Sequence, residues 1–342
     1  MCRNGRAFQP REMLRRTVVA LPLLALACNT PMTENSPRKV LITGGTGLIG
    51  TRLAEMLIDS GYEVALLSRE PHKTNHYRSF RWDPQAGTID EAAIPYADYI
   101  VNLAGASVSD GKWTDERKRD IMTSRLGGLA LLHRELATHK HHVKAFISAS
   151  AIGVYGDTAD TVLTENTPPG LPTHDFLADV AHQWELATQP VAALGIRTVI
   201  PRIGIVLSTE GGALPQMARP MKMGAGAALG SGKQFMSWIH LDDLCRLIMA
   251  MIDDDTWRGT YNAVAPAPVT NQQFTETLAQ VLHRRLVLPK VPAFGLKLAL
   301  GEMSEIVLAS QRVSADKVLA QGFTYEYPEL RGALEALYGE TV

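Results

Sequence analysis

The sequence predicts an α/β fold: a doubly wound parallel sheet with a smaller lobe and a C-terminal helical appendage. Three observations carry this. "KVLIT", "GGTGLIG", "TRLAEMLIDSG" and "EVALLS" follow one another as strand, turn, helix and strand. "ADYIVNLAG", "VKAFISAS" and "IRTVIPRIGIVL" are further short apolar runs, each after a helical stretch and each rich in β-branched or aromatic residues. The 342-residue chain is 46% hydrophobic and 20% charged, enough apolar material for one large globular body.

The elements follow in order. Residues 1–37 stand apart from the fold. Arg15 and Arg16 precede the apolar run "TVVALPLLALAC", which has the form of a secretory signal and is too short for a confident membrane span. The favoured alternative is that translation starts at Met32, leaving a short polar lead into the first strand and a cytoplasmic protein. Residues 38–288 form the main body and 289–342 a small C-terminal domain. In the first helix Leu53, Met56, Leu57 and Ile58 share a face, and Gly61 ends it. Asp242 reads as the N-cap of the helix "DLCRLIMAMI". "MGAGAALGSGK", from Met223, is too rich in glycine to pack as an element and reads as a loop able to close over a ligand. "FGLKLALGEMSEIVLAS" has the apolar density of a helix buried against the body, and Lys297, Glu302 and Glu305 argue against a membrane span.

Glycines between a buried strand and a helix have a physical purpose. One permits a tight turn, one lets a pyrophosphate approach the backbone, and Gly50 lets helix and strand pack closely. The phosphates then meet free N–H groups at the positive end of the helix. The end of the second strand selects the nucleotide. A carboxylate there would bond a ribose 2′-hydroxyl, but this chain has Ser68-Arg69, and a guanidinium suits a 2′-phosphate. The cofactor expected is NADP.

"GGTGLIG", "NLAGA" and "SASAIGVYG" together resemble the extended short-chain dehydrogenases, with their nucleotide-sugar epimerases and dehydratases. "WDP", "KWTDERKRDIMTSR", "DFLADVAHQWE", "SWIHLDDL" and the tail from Val291 narrow the resemblance to epimerase-family NAD(P)-binding proteins with a C-terminal domain of unknown function. The resemblance implies a Rossmann-like domain with an interleaved substrate-side lobe. The expected cofactor-binding residues are Thr43, Gly44, Gly45, Thr46, Gly47, Leu48, Ile49, Gly50, Arg69, Leu103, Ala104, Gly105, Arg125 and Arg202. Gly105, Ser148, Ser150 and Arg202 are expected near one crevice at the strand ends.

The resemblance also exposes a departure. Active members of the group carry a Tyr-x-x-x-Lys pair, and here Phe176 and Val180 stand in its place. Losing a positioned acid–base group costs about 10²–10⁴-fold in rate. The catalytic candidates left are Ser150, although an ungapped match places Ala151 there, and Tyr155, otherwise a packing or pocket residue. Asp175, Asp179 and His182 fall near one helical face and read more readily as solvated than as catalytic. The expected activity is that of an NADP-binding, epimerase-like oxidoreductase on a nucleotide sugar or other small carbonyl or hydroxyl compound. The alternative is a catalytically silent NADP(H)-binding sensor.

A net charge of -1 excludes the basic field that nucleic acid or an anionic membrane requires. Cys2, Cys28 and Cys245 make no disulfide framework or metal spacing, so no metal is expected. The partner expected is a small-molecule substrate, and the sequence allows a homodimer.

Overall fold

The computed structural model describes residues 37–70, 77–170 and 175–339. The expectations for residues 1–36 lie outside the described residues. Residues 37–342 cluster as one compact unit. The chain enters with β1 (Lys39–Thr43), α1 (Leu48–Asp59) and β2 (Glu63–Ser68), then β3 (Arg78–Asp83), β4 (Thr88–Ile89), α2 (Ala93–Tyr96) and β5 (Tyr99–Asn102). The long helix α3 (Asp115–Thr138) leads to β6 (Ala145–Ser148), β7 (Ser150–Ala151) and β8 (Val162–Leu163). Then come α4 (Phe176–Ala193), β9 (Arg197–Ile203), β10 (Ile205–Leu207), α5 (Ala213–Lys222), β11 (Phe235–Met236) and β12 (Trp238–His240). α6 (Leu241–Asp253), β13 (Gly259–Ala263), β14 (Val269–Thr270) and α7 (Asn271–Val281) complete the body. The tail holds α8 (Ala293–Leu300), α9 (Glu305–Leu308), β15 (Arg312–Val313), α10 (Asp316–Ala320) and α11 (Leu330–Tyr338).

The main sheet runs β13-β9-β6-β5-β1-β2-β3-β4, with β7 also beside β9. All its pairs are parallel except β3–β4. This is the predicted doubly wound sheet, with helices on both faces and strands buried nearly end to end. One core packs α1 and α6 beneath Val40, Ile42 and Val101; the other packs α3 and α4 against Leu41, Ile100 and Phe146. On α1 the buried side is Gly50, Leu53, Ala54 and Leu57, with Met56 and Ile58 only partly covered.

The run read as one strand, "IRTVIPRIGIVL", is two. At Gly204 the chain leaves the main sheet, and β10 pairs with β12 instead. Glycine is required there because a Cβ would lie 2.7 Å from the Ser237 carbonyl oxygen. The strand switch opens the sheet's carboxyl edge beside a third core built on Trp238 and Phe274.

Two local expectations are corrected. His240, not Asp242, caps α6: its Nδ1 accepts from the Asp242 amide at 3.1 Å. The helix begins two residues earlier than expected, which frees the Asp242 carboxylate to pair with Arg52 of α1 at 2.7 and 2.9 Å. The tail segment "FGLKLALGEMSEIVLAS" is not one buried helix. Gly301, at φ 60°, ends α8, and no residue of α8 is buried. Its apolar residues recur every second position, so Phe294 and Leu298 share one face and Leu296 and Leu300 the other. Only the second face is partly covered, and Phe294 and Leu298 are 75% and 87% exposed. The glycine-rich segment after Met223 is irregular, as expected. Contacts tie it down, however: the Leu229 amide donates to Asn271, and Gly230 and Ala228 bond the backbone of Val291.

Substituting Gly204→Val should force the β9–β10 switch apart. Overpacking of this kind costs about 1–3 kcal/mol, so the thermal unfolding midpoint should fall by several degrees.

Candidate functional site

The site begins at the turn after β1. Gly44 has φ 67°, and a Cβ on it would meet the Leu103 backbone at 2.9 Å. A Cβ on Gly50 would lie 2.4 Å from the Gly44 carbonyl oxygen. These glycines answer to the protein's own packing. Gly47 does not: the only atom near its Cβ would be the Gly44 oxygen, at 3.3 Å. It is exposed at the start of α1, where no side chain caps the helix. A small residue with open space above an uncapped helix start fits an approaching phosphate. Thr46 is exposed beside it, and Leu48 and Ile49 are half-buried.

Thr43 has another task. Its hydroxyl donates to Asn102 Oδ1 at 2.7 Å and accepts from the amides of Leu103 and Ala104, both at 3.1 Å. Asn102 donates on to Ser148, which also accepts from Thr188. Fully buried, this chain of bonds fixes the turn after β5, so the Thr43 side chain is spent within the sheet. Arg69 stands exposed at the end of β2 and, among the described residues, forms no ion pair, not even with Glu70. Arg125 lies against Gly105, where a Cβ would be 2.9 Å from its Cζ.

Arg202 was expected to reach the cofactor, but it faces Glu185 of α4. Its Nε and Nη2 donate to the two carboxylate oxygens, each at 2.8 Å, and Nη1 donates to the Tyr155 hydroxyl at 2.8 Å. The pair raises the Arg202 pKa against the opposing effect of burial. Its ion pair and its bond to Tyr155 tie Arg202 to the interior of the fold. Ser150 joins the same network, donating to Glu185 at 2.8 Å, and Tyr155 donates to Asn262 at 2.6 Å. Both catalytic candidates are 2% exposed. Burial pushes the Tyr155 pKa up, with Arg202 opposing. The geometry therefore gives Ser150 and Tyr155 a structural place: the sheet needs partners for the buried Arg202 and Glu185, and these hydroxyls supply them.

What faces outward is apolar. A cavity of about 280 Å³ lies where β7 and β9 end, walled by Ala151, Val180, Trp184, Ile203, Met236 and Val307. Val180 is 4% exposed and packs with Trp113 and Ile121. Phe176 meets Trp113 edge-on at 5.0 Å, with the Lys118 ammonium 5.3 Å from its ring centre. The titratable groups on the cavity wall are Arg125, Asp175 and Glu305. Asp175 Oδ1 accepts from the Ala178 amide and caps α4. Asp179 accepts from Gln183. Burial, then the Asp175 and Glu302 charges, raise the Glu305 pKa, with Lys118 and Lys297 opposing. A second, larger cavity of about 1100 Å³ adjoins Tyr155, Gly170, Lys297 and the same two carboxylates.

Sequence reasoning missed Glu185, Asn262 and Glu305. A signal existed for the first. A buried arginine on an apolar parallel strand must find a counter-ion, and Arg202, near the end of β9, is such a residue. Nothing local marks Glu305, which reaches the cavity from a segment more than a hundred residues downstream of α4.

Residues 40–263 match the NAD dependent epimerase/dehydratase family, and 291–337 match a domain of unknown function, DUF1731. The chain is 38% identical over 303 residues to the epimerase family protein YfhF of Bacillus subtilis, covering 88% of this chain and 98% of that one. It is 39% identical over 308 residues to the epimerase family protein SSP1921 of Staphylococcus saprophyticus, covering 87% and 98%. Among solved structures, the human epimerase family protein SDR39U1 with NADPH superposes with a TM-score of 0.80 at 30% identity, covering 88% of this chain and 99% of that chain. A nucleoside-diphosphate sugar epimerase from Corynebacterium glutamicum gives a TM-score of 0.71 at 32% identity, covering 89% of this chain and 59% of that chain.

Replacing Glu185 by alanine leaves the buried Arg202 charge unpaired. Breaking a buried pair in this way costs about 3–5 kcal/mol, and urea unfolding should register a loss of that size.

Proposed function

This chain belongs to the NAD dependent epimerase/dehydratase family, and on that premise we propose that it is an NADP(H)-dependent oxidoreductase acting on a small, largely apolar carbonyl or hydroxyl compound. The observation that carries the reading is the apolar cavity at the carboxyl edge of the sheet, on the same edge as the glycine turn.

The chain's residues fit the dinucleotide. The backbone from Gly44 to Gly50 would receive the pyrophosphate, with Gly47 leaving room for it. Leu103, Ala104 and Gly105 border the path toward the cavity. Arg69 would take the 2′-phosphate, and the crystal structure of the human relative with NADPH supports that choice. When bound, the dinucleotide supplies or accepts a hydride.

The protein's part is binding, exclusion of water and a proton. Few wall groups could satisfy the several hydroxyls of a buried hexose, so an apolar compound fits better than a nucleotide sugar. Phe176 and Val180 have no proton to give. Glu305, whose pKa is raised by burial and by the Asp175 and Glu302 charges, would give one to a carbonyl oxygen when in its acid form. A second reading, an NADP(H)-binding protein without turnover, is favoured by the tight packing of Phe176 and Val180 where the group's acid–base pair stands.

Three measurements test these readings. In a fluorescence titration, Arg69→Glu should weaken NADPH binding about 10- to 100-fold and leave NADH nearly unchanged, the scale of one charged hydrogen bond. Bound NADPH should lose its 340 nm absorbance when apolar ketones or aldehydes are added; an inert cofactor across a broad panel favours the second reading. Reduction should be fastest at low pH and decline as pH rises through the elevated Glu305 pKa, because the acid form is the active one. Glu305→Gln should remove that limb and slow turnover about 10²–10⁴-fold.

A further inference from the structure

Arg125 is held in position without a counter-ion. Nη1 donates to the carbonyls of Ala106 and Ile121, at 3.0 and 2.9 Å. The guanidinium lies between the Trp184 ring, 4.8 Å from Cζ, and Gly105, whose missing side chain makes room for it. Nε is buried and has no hydrogen-bond partner. The two buried arginines Arg202 and Arg197 have carboxylates, Glu185 and Asp255. Among the described residues, none pairs with Arg125. Burial, with Arg117 adding repulsion, pushes its pKa down to about 10. It remains a cation at neutral pH, desolvated and unpaired, an arrangement that an anion would complete.

Its position says which kind of anion. Arg125 is a wall residue of the cavity of about 280 Å³ whose other walls include Val180, Ile203 and Met236. That volume is at the low end for ligand pockets. Asp175 and Glu305 line the same cavity and oppose a ligand with several negative charges. One carboxylate on a short apolar body satisfies the arginine and the walls with the least repulsion from these two side chains. Among the described residues Nη2 has no protein acceptor and is not among the buried atoms, so it is the nitrogen left to donate to a carboxylate oxygen.

We propose that the cavity binds a small apolar carboxylic acid, with Arg125 receiving its carboxylate, so that the substrate is an oxo or hydroxy acid with a short hydrocarbon body. This names the substrate class of the oxidoreductase proposed above and rests on the cavity being its substrate site. It assigns Arg125 to the substrate rather than to the cofactor.

The test is calorimetry on the full chain, with and without NADPH, using hexanoate, hexan-1-ol and inorganic phosphate as probes. Hexanoate should bind at least tenfold more tightly than hexan-1-ol. Arg125→Gln should weaken hexanoate at least tenfold and leave the NADPH affinity unchanged, while Arg125→Lys should retain part of it. Val307→Trp, which fills the cavity and keeps the arginine, should also abolish hexanoate binding, and it serves should Arg125→Gln fail to fold. Hexanoate binding that is absent, or untouched by these changes, overturns the proposal and leaves the NADPH reading standing. A loss confined to NADPH or inorganic phosphate overturns it in favour of a cofactor phosphate on Arg125. Hexanoate binding through Arg125 in a chain that holds no dinucleotide supports the acid site and defeats the oxidoreductase reading.

Discussion

The Glu185–Arg202 pair holds the site together. It joins α4 to β9 across the sheet's carboxyl edge, with both side chains nearly out of water. A charge buried that deeply is tolerable only when its hydrogen-bonding capacity is filled. The pair therefore draws in Ser150 and Tyr155, and through Tyr155 it draws in Asn262 of β13. The Asn262 side chain in turn donates to the Ser314 carbonyl, and its backbone amide donates to the Glu165 carboxylate. Four separate segments are registered by one ion pair.

The same constraint decides the chemistry of the cavity. Because the polar atoms at the ends of β7 and β9 turn inward to serve the pair, the outward surface is left to Ala151, Ile152 and Ile203. Val180 and Phe176 continue that apolar surface along α4. The neighbouring hydroxyls of Ser150 and Tyr155 are engaged with the pair.

The C-terminal segment completes the site rather than hanging from the body. β15 extends β8 in parallel, Val313 donates to Ser237 Oγ, and Ser237 donates to the Gln311 carbonyl. These bonds bring Glu305 and Val307 to the cavity wall. The family domain and the domain of unknown function thus share one pocket, which gives a physical reason for their occurring together in one chain.

The chain's local pattern determined the parallel sheet, the glycine turn and the arginine closing the second strand. Each depends on residues close together in sequence: period, turn chemistry and spacing are local properties. Tertiary structure alone decided which groups meet. It turned Arg202 toward Glu185 rather than toward a phosphate and closed off Ser150 and Tyr155. It split one apolar run at Gly204 and left the Phe294–Leu298 face of α8 uncovered. Burial and pairing depend on which distant segments come to lie side by side, so the same arginine reads as a ligand in one dimension and as a strut in three.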